Sequence, residues 1–405
     1  MKKILLAACI ATAYGYAGFA SAQTAPAAAA APAAPSLGAV LAATPGLSIT
    51  GYVASTYTHF DTTPTLLRAF DTSQNGFRLN QAAVTLAYLP TSGAGAQVTA
   101  IAGSDAKILR NGECYQTATA TAAAAISCNS GGQFDLNNAF VQYATGPLTV
   151  MAGKFSTLAG AEVTNPANDN EISRSLLFWD MEPGTHTGVR AAYAVSGALT
   201  LTAGVNNGWN YTSSPAGTAK TIELGASGTP NKMFSYSGAY YRGQSPLYGG
   251  SPTGVLQLLD LVGTFNATDA LSLAANVDIL SKDGVTLANG TTGTGKANGF
   301  ALYANYAVTS QWMVSARGEY IDDKDGIVTG NAIPTTTPAY PFYTQGSGTP
   351  NKLKELTLAV NYTPVSNFKL SAEVRQDKSD VAIFSKNGAP TNNQTSLELQ
   401  GIYSF

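Results

Sequence analysis

Leu397-Glu398-Leu399-Gln400-Gly401-Ile402-Tyr403-Ser404-Phe405 ends the chain, and the parity of this stretch decides the fold. Leu397, Leu399, Gly401, Tyr403 and Phe405 fall on one face of an extended strand, and Glu398, Gln400 and Ser404 on the other. Successive side chains of a strand point to opposite sides, so this strand has one apolar and one polar face. A membrane β-barrel sets such strands between lipid and a wet interior, with aromatic residues at the interface, where Phe405 would sit.

Working back from that stretch, sixteen strand-like segments can be counted, joined alternately by short and long connections. The tight ones are 90–94, Gly146, Gly197, 228–231, 266–269, Thr309-Ser310 and 364–366, rich in the Gly, Pro, Asn and Asp of turns. The long ones are 61–75, 105–133, 159–184, 211–218, 244–253, 284–297, 325–351 and 381–393. This pattern predicts an all-β, transmembrane, antiparallel up-and-down barrel with short periplasmic turns and long extracellular loops. Its even strand number puts both termini on the periplasmic side.

Parity then assigns faces. Val84, Leu86 and Tyr88, the alternates from Phe300 to Val308, Leu356 to Tyr362 and Phe368 to Val374 are expected to face lipid. Their neighbours face the lumen, with Arg190, Glu223, Asp260, Asp278, Arg317, Glu319, Glu355, Glu373 and Arg375 among them. An Arg or Lys on the lipid face near midplane costs about 2–4 kcal/mol, which favours the lumen for these charges. Any one of them can also simply line a solvated wall or pair across strands.

Composition agrees. Hydrophobic residues make up 45% of the 405 and charged residues only 11%, where a soluble domain carries about 25% charged residues. Lys2 and Lys3, the apolar run Ile4 to Ala13 and the Ala20-Ser21-Ala22 site read as a secretory signal peptide over 1–22, cleaved after Ala22. Leu6-Ala7-Ala8 before Cys9 offers a rival lipoprotein reading, with a shorter apolar core than such signals have. Residues 23–46 are long and uncharged, but Pro26, Pro32, Pro35 and Pro45 oppose a membrane helix, so they read as an Ala/Pro periplasmic linker. The barrel domain is then 47–405.

Without the signal, 20 basic residues face 24 acidic ones, a formal charge of −4 that gives no reason to expect nucleic acid. Cys114 and Cys128 stand in a polar stretch, and in an oxidising compartment the expectation is a disulfide pinning a loop. With no His nearby, they make no metal site. The repeat Ser227-Gly228-Thr229-Pro230-Asn231-Lys232 and Ser347-Gly348-Thr349-Pro350-Asn351-Lys352 falls at a turn in one copy and a loop end in the other. It reads as coincidence or as a misassigned parity.

A more specific pattern occupies 134–210: Phe134 to Tyr143, Ala152-Gly153-Lys154-Phe155, Gly160-Ala161-Glu162, Asn165-Pro166, Ser173-Arg174-Ser175-Leu176-Leu177-Phe178, Glu182-Pro183, His186-Thr187-Gly188-Val189-Arg190 and Asn207-Gly208-Trp209. This succession resembles the OmpL-like β-barrel porin family, over about Gly51 to Phe405. The resemblance implies a passive outer-membrane porin in a Gram-negative bacterium. Members often carry Asp after Asn-Gly-Trp, where this chain has Asn210.

In that block a connection of about 26 residues separates a strand ending near Phe155 from one starting at Thr185, and loops this long are usually functional or disordered. Glu162, Asp169, Glu171, Arg174, Asp180 and Glu182 would narrow the channel if the loop folds inward, or be solvated if it lies over the mouth. A constriction of this kind sorts solutes through a transverse field between opposed charges. The expected filter sets Arg174 and Arg190 against Glu162, Asp169 and Glu171, with Arg317, Glu319, Glu373 and Arg375 on the lining. The apolar run Leu176-Leu177-Phe178-Trp179 needs cover, as a packed loop or a lipid-facing strand end.

A hydrolase would need His59 or His186 beside a serine and an orienting acid, and no G-x-S-x-G elbow, P-loop or dinucleotide fingerprint occurs. An adhesin or anchor with a plugged lumen is the other reading. Width separates the two, because about sixteen strands leave an aqueous channel and about eight do not. The expectation is therefore a diffusion channel for small hydrophilic solutes, with no cofactor. Its partners would be outer-membrane lipid, the solutes, the assembly machinery through the strand ending at Phe405, and further copies in a homotrimer. Tyr241 and Tyr303 would supply either an aromatic track for sugars or wall filling.

Overall fold

The computed structural model describes residues 43–63, 67–71, 73–111, 115–119, 122–127, 132–213, 219–244, 254–329 and 349–405. The signal peptide, nearly all of the linker and both Cys114 and Cys128 lie outside the described residues.

Sixteen antiparallel strands close into one barrel. In chain order they are β1 (Leu47–Phe60), β2 (Asn75–Tyr88), β3 (Gly93–Ala102), β6 (Phe134–Thr145), β7 (Leu148–Ser156), β8 (Thr185–Ser196), β9 (Leu199–Asn206) and β10 (Thr221–Asn231). There follow β11 (Phe234–Gln244), β12 (Val255–Asn266), β13 (Leu271–Thr286), β14 (Thr292–Ala307), β15 (Trp312–Asp323), β16 (Asn351–Val365), β17 (Phe368–Ser379) and β20 (Asn393–Ser404). The ring closes between β1 and β20, where Tyr52 pairs with Ser404 and Phe60 with Ser396. Gly51 and Phe405 exchange backbone hydrogen bonds at 2.8 and 2.9 Å. Closure leaves no unpaired edge, which a sheet in lipid cannot tolerate.

Burial follows parity as expected. On β16, Leu356 and Leu358 are 56% and 48% exposed on the outside, whereas Glu355 and Thr357 are buried inside. Outward-facing aromatics gather where strands meet the short turns: Tyr88, Tyr143, Phe265, Tyr306, Trp312, Tyr403 and Phe405. Trp312 and Tyr362 stack there with centroids 4.4 Å apart. This is the interfacial girdle of a membrane barrel.

Some boundaries differ from the sequence reading. The 284–297 loop shrinks because β13 and β14 run on to Thr286 and back from Thr292, with Val285 buried inside. β10 continues through Gly228 to Asn231, whose Oδ1 accepts from the N–H groups of Met233 and Phe234 and makes the tighter turn. The first copy of the Ser-Gly-Thr-Pro-Asn-Lys repeat thus ends at a turn, whereas the described part of the second, 349–352, opens β16 at the loop end.

Two long connections also carry structure that alternation alone does not signal. The β3–β6 connection holds α1 (Ser104–Asn111) and the hairpin of β4 (Tyr115–Thr119) and β5 (Ala122–Ser127), and the β17–β20 connection holds that of β18 (Phe384–Lys386) and β19 (Ala389–Thr391). Inside the barrel, Leu67, Trp209, Ile327, Ile383 and Phe384 from the loops join wall residues such as Leu258, Tyr303 and Ile321 in one apolar cluster. The loop-end half of the lumen is therefore packed along β11–β16.

Candidate functional site

The 157–184 segment enters the lumen and crosses it. Its neck is closed by Thr157 N–H donating to Gly184 O at 3.1 Å, and by Tyr241 Oη on β11, which accepts from Leu158 N–H at 2.8 Å. From there the chain runs to β15, eight places round a ring of sixteen from β7 and so on the far wall. It also descends. Lys369, one residue into β17 from the turn end, donates to the carbonyls of Pro166, Ala167 and Asp169 at 3.3, 3.4 and 2.8 Å. Gln81 on β2 donates to Thr164 O at 3.0 Å.

Charged side chains of the far wall hold the crossing backbone. Glu373 accepts from Ile172 and Ser173 N–H, and Glu319 from Leu176 and Leu177 N–H at 3.0 and 3.2 Å. These last two donors open the short helix α2 (Leu176–Asp180), whose first-turn N–H groups have no partner within the helix. Ser175 caps it, its Oγ accepting from Phe178 N–H at 3.0 Å.

Arg317 on β15 is the hub, donating to Glu162 at 2.6 Å, to Ser173 O at 2.9 Å and to Glu355 at 3.2 Å, with Glu319 a further ion pair at 3.2 Å. Arg375 on β17 donates to Arg174 O at 2.5 Å and pairs with Asp377 at 2.8 Å. Arg68, from the β1–β2 loop, continues the network to Asp71, Asp377 and Glu398.

The opposed filter expected from the sequence is not the arrangement found. Arg174 belongs to the same segment as the acids, pairs with Asp169 at 3.0 Å and donates to the carbonyls of Val163, Ile172 and Thr164. Arg190 stands at the segment's neck on β8, bonded twice to Glu223 on β10 at 2.6 and 2.9 Å and lying over the Phe155 ring. The reason is energetic: a charge brought into a packed lumen is costly unless a partner meets it directly. Burial pushes the Glu171 carboxyl up to about 8, against the pull of Arg317, so near neutral pH it is mostly uncharged.

The apolar run of the segment turns inward. Leu176, Leu177 and Met181 join the lumen cluster, and Phe178 packs with Phe70 at a centroid distance of 6.1 Å. Tyr241 and Tyr303 are buried as well, Tyr241 stacked on His186 at 4.7 Å, so both fill the wall and offer no exposed track. His186 Nδ1 lies 3.0 Å from Gly208 O, a structural contact.

Sequence reasoning missed Arg68, Asp71, Lys369 and Asn276. Lys369 was findable, because it alternates with the lipid-facing Phe368 and Leu370. Across from the network, Ala194, Thr200 and Ser227 on β8, β9 and β10 face inward on the turn side and keep solvent exposure, uncharged and small.

The barrel is similar to several solved outer-membrane proteins. An anion-selective porin of Comamonas acidovorans matches at a TM-score of 0.59 and 12% identity, over 89% of this chain and 99% of that one. OmpT of Vibrio cholerae in its trimer form matches at 0.56 and 11%, over 89% and 99%. The outer membrane channel DcaP of Acinetobacter baumannii matches at 0.53 and 11%, over 89% and 97%. At these identities the likeness shows the fold. Among curated proteins none matches in sequence. A family profile matches residues 46–405, and the chain therefore belongs to the family described as "Putative beta-barrel porin-2, OmpL-like".

Proposed function

We propose that this protein is a passive diffusion channel for small hydrophilic solutes in the outer membrane of a Gram-negative bacterium. The observation that carries the reading is a closed sixteen-strand barrel crossed by one internal segment, 157–184, tied to the opposite wall. Barrels of sixteen to eighteen strands enclose an aqueous channel, and a segment folded across one narrows it. Solutes would pass between the segment and the small inward residues of β8–β10. The work needs no catalysis. Glu162, Asp169, Glu171, Arg174, Arg317, Glu319, Glu373 and Arg375 shape and brace this constriction, and the Arg190–Glu223 pair stands beside the passage.

The rest of the reading follows the chain. Residues 1–22 act as a secretory signal cleaved after Ala22, and 23–46 as a periplasmic linker. A Cys114–Cys128 disulfide pins the β3–β6 loop, and the strand ending at Phe405 is offered to the outer-membrane assembly machinery. Three copies associate, as the trimer form of the Vibrio cholerae protein suggests by analogy.

The deciding experiment is single-channel recording of the refolded mature chain in planar bilayers, with reversal potentials under a salt gradient. Stable, large conductance steps are expected. The apolar cluster filling the lumen along β11–β16 favours one competitor, a plugged barrel serving as anchor or adhesin. Silence from demonstrably folded protein would put that reading first.

A further inference from the structure

Away from the arginine network, three carboxylates meet where the segment returns to the wall. Asp260 on β12 and Asp278 on β13 are direct cross-strand partners, and Glu182 follows α2 on the return limb. One oxygen of each lies within 4.8 Å of the others, and all three residues are buried. Like charges directly opposite on neighbouring strands repel, and burial removes the water that would screen them. The lumen arginines Arg317 and Arg190 are committed elsewhere, Arg317 to Glu162, Glu319 and Glu355, and Arg190 to Glu223.

A second observation points to a ligand. No donor from outside the cluster reaches either carboxylate oxygen of Asp278 or the Oδ1 of Asp260, although both side chains are fully buried, and Asp278 meets only the carboxyls of Asp260 and Glu182. The remaining Asp260 oxygen is oriented with care: Asn276 Nδ2 donates to it at 2.6 Å, while Asn276 Oδ1 accepts from Ala161 N–H at 2.8 Å. Outer contacts that aim a carboxylate in this way are typical behind metal ligands. Gly160, at φ +91°, lets the backbone pass against Glu182, where any Cβ would collide with the carboxylate.

We propose that Glu182, Asp260 and Asp278 bind one calcium ion that pins the return limb of the lumen segment to the barrel wall. An all-carboxylate set suits a hard cation. Calcium–oxygen distances of about 2.3–2.6 Å let ligands of one ion stand up to about 5 Å apart, and the three oxygens here lie within 4.8 Å of one another. Magnesium demands near-octahedral geometry and sheds its water reluctantly, whereas calcium accepts an irregular set of oxygens such as two wall carboxylates and one from the segment. Binding is independent of conduction, so a silent barrel that still binds calcium would refute the porin reading and leave this one standing.

The test uses the full mature chain refolded in detergent, stripped with EDTA and titrated with calcium chloride by calorimetry, with terbium luminescence as a second probe. One saturable site per chain and a higher unfolding midpoint in calcium are expected. Asp278→Asn should weaken binding at least tenfold and abolish the stabilisation. Glu182→Gln, outside the strands, should do the same if the first variant fails to fold, and Asp380→Asn on the exposed surface should bind as the parent does. Absence of saturable binding at millimolar calcium, or parent-like binding by both Asp278→Asn and Glu182→Gln, overturns the proposal. So does the result expected of carboxyls that merely share protons: Asp278→Asn stabilising the chain while calcium does nothing. Tighter binding of magnesium than of calcium would overturn the choice of ion.

Discussion

Arg317 meets Glu162, Glu319 and Glu355 while fully buried. Replacing it leaves those carboxylates facing one another in a packed lumen, and removing one partner of a buried ionic cluster costs about 3–5 kcal/mol. Arg317→Ala is therefore expected to lower the unfolding free energy by about that much and, by freeing the segment, to make single-channel current noisier. Parent-like stability and noise would show that the hub does not hold the segment. Arg190 has one carboxylate partner, Glu223. Arg190→Ala leaves that acid uncompensated in the lumen wall beside the proposed solute path, so reversal potentials should shift toward cation selectivity. Unchanged potentials would remove the pair from the solute path.

At the scale of the segment, Glu171 links pH to packing. Its carboxyl, ordinarily near 4.5, is raised to about 8 by burial. Between these values the unfolded chain has lost the proton that the packed segment keeps, so stability falls as pH rises. It is fully present below about 4.5 and lost above about 8. The slope for one group is about 1.4 kcal/mol per pH unit. Glu171→Gln should flatten the decline in unfolding free energy from pH 5 to pH 8. Parallel profiles for parent and variant would mean that water reaches this carboxyl in the folded protein.

For the whole molecule, the separation of outer and inner faces makes a directional prediction. Leu358, outward at the middle of β16, and Ala194, inward on β8, are both exposed side chains. Leu358→Arg puts a charge in lipid and should cost about 2–4 kcal/mol in equilibrium unfolding from vesicles. Ala194→Arg puts the same charge in water and should cost far less. Equal costs would contradict the assignment of faces.

Strand number, faces and the alternation of turns with loops were legible in the sequence because each is written in local periodicity. Leu397 to Phe405 needs no distant partner to show which side is apolar, and Lys369 between Phe368 and Leu370 announces its own direction. The inward course of 157–184 was not legible. Its charges suited a solvated loop equally well, and its anchors lie far along the chain: Glu162 meets Arg317, and Ile172 meets Glu373. Only barrel closure makes those residues neighbours. The filter expected from residue types alone went astray for the same reason, since type shows that Arg190 must be paired but not that Glu223, two strands away, is the partner. The sequence by itself determined a barrel with a polar inner face; the tertiary structure decided what occupies the interior, because it brings distant charges into contact in a space where none can stay unpaired cheaply.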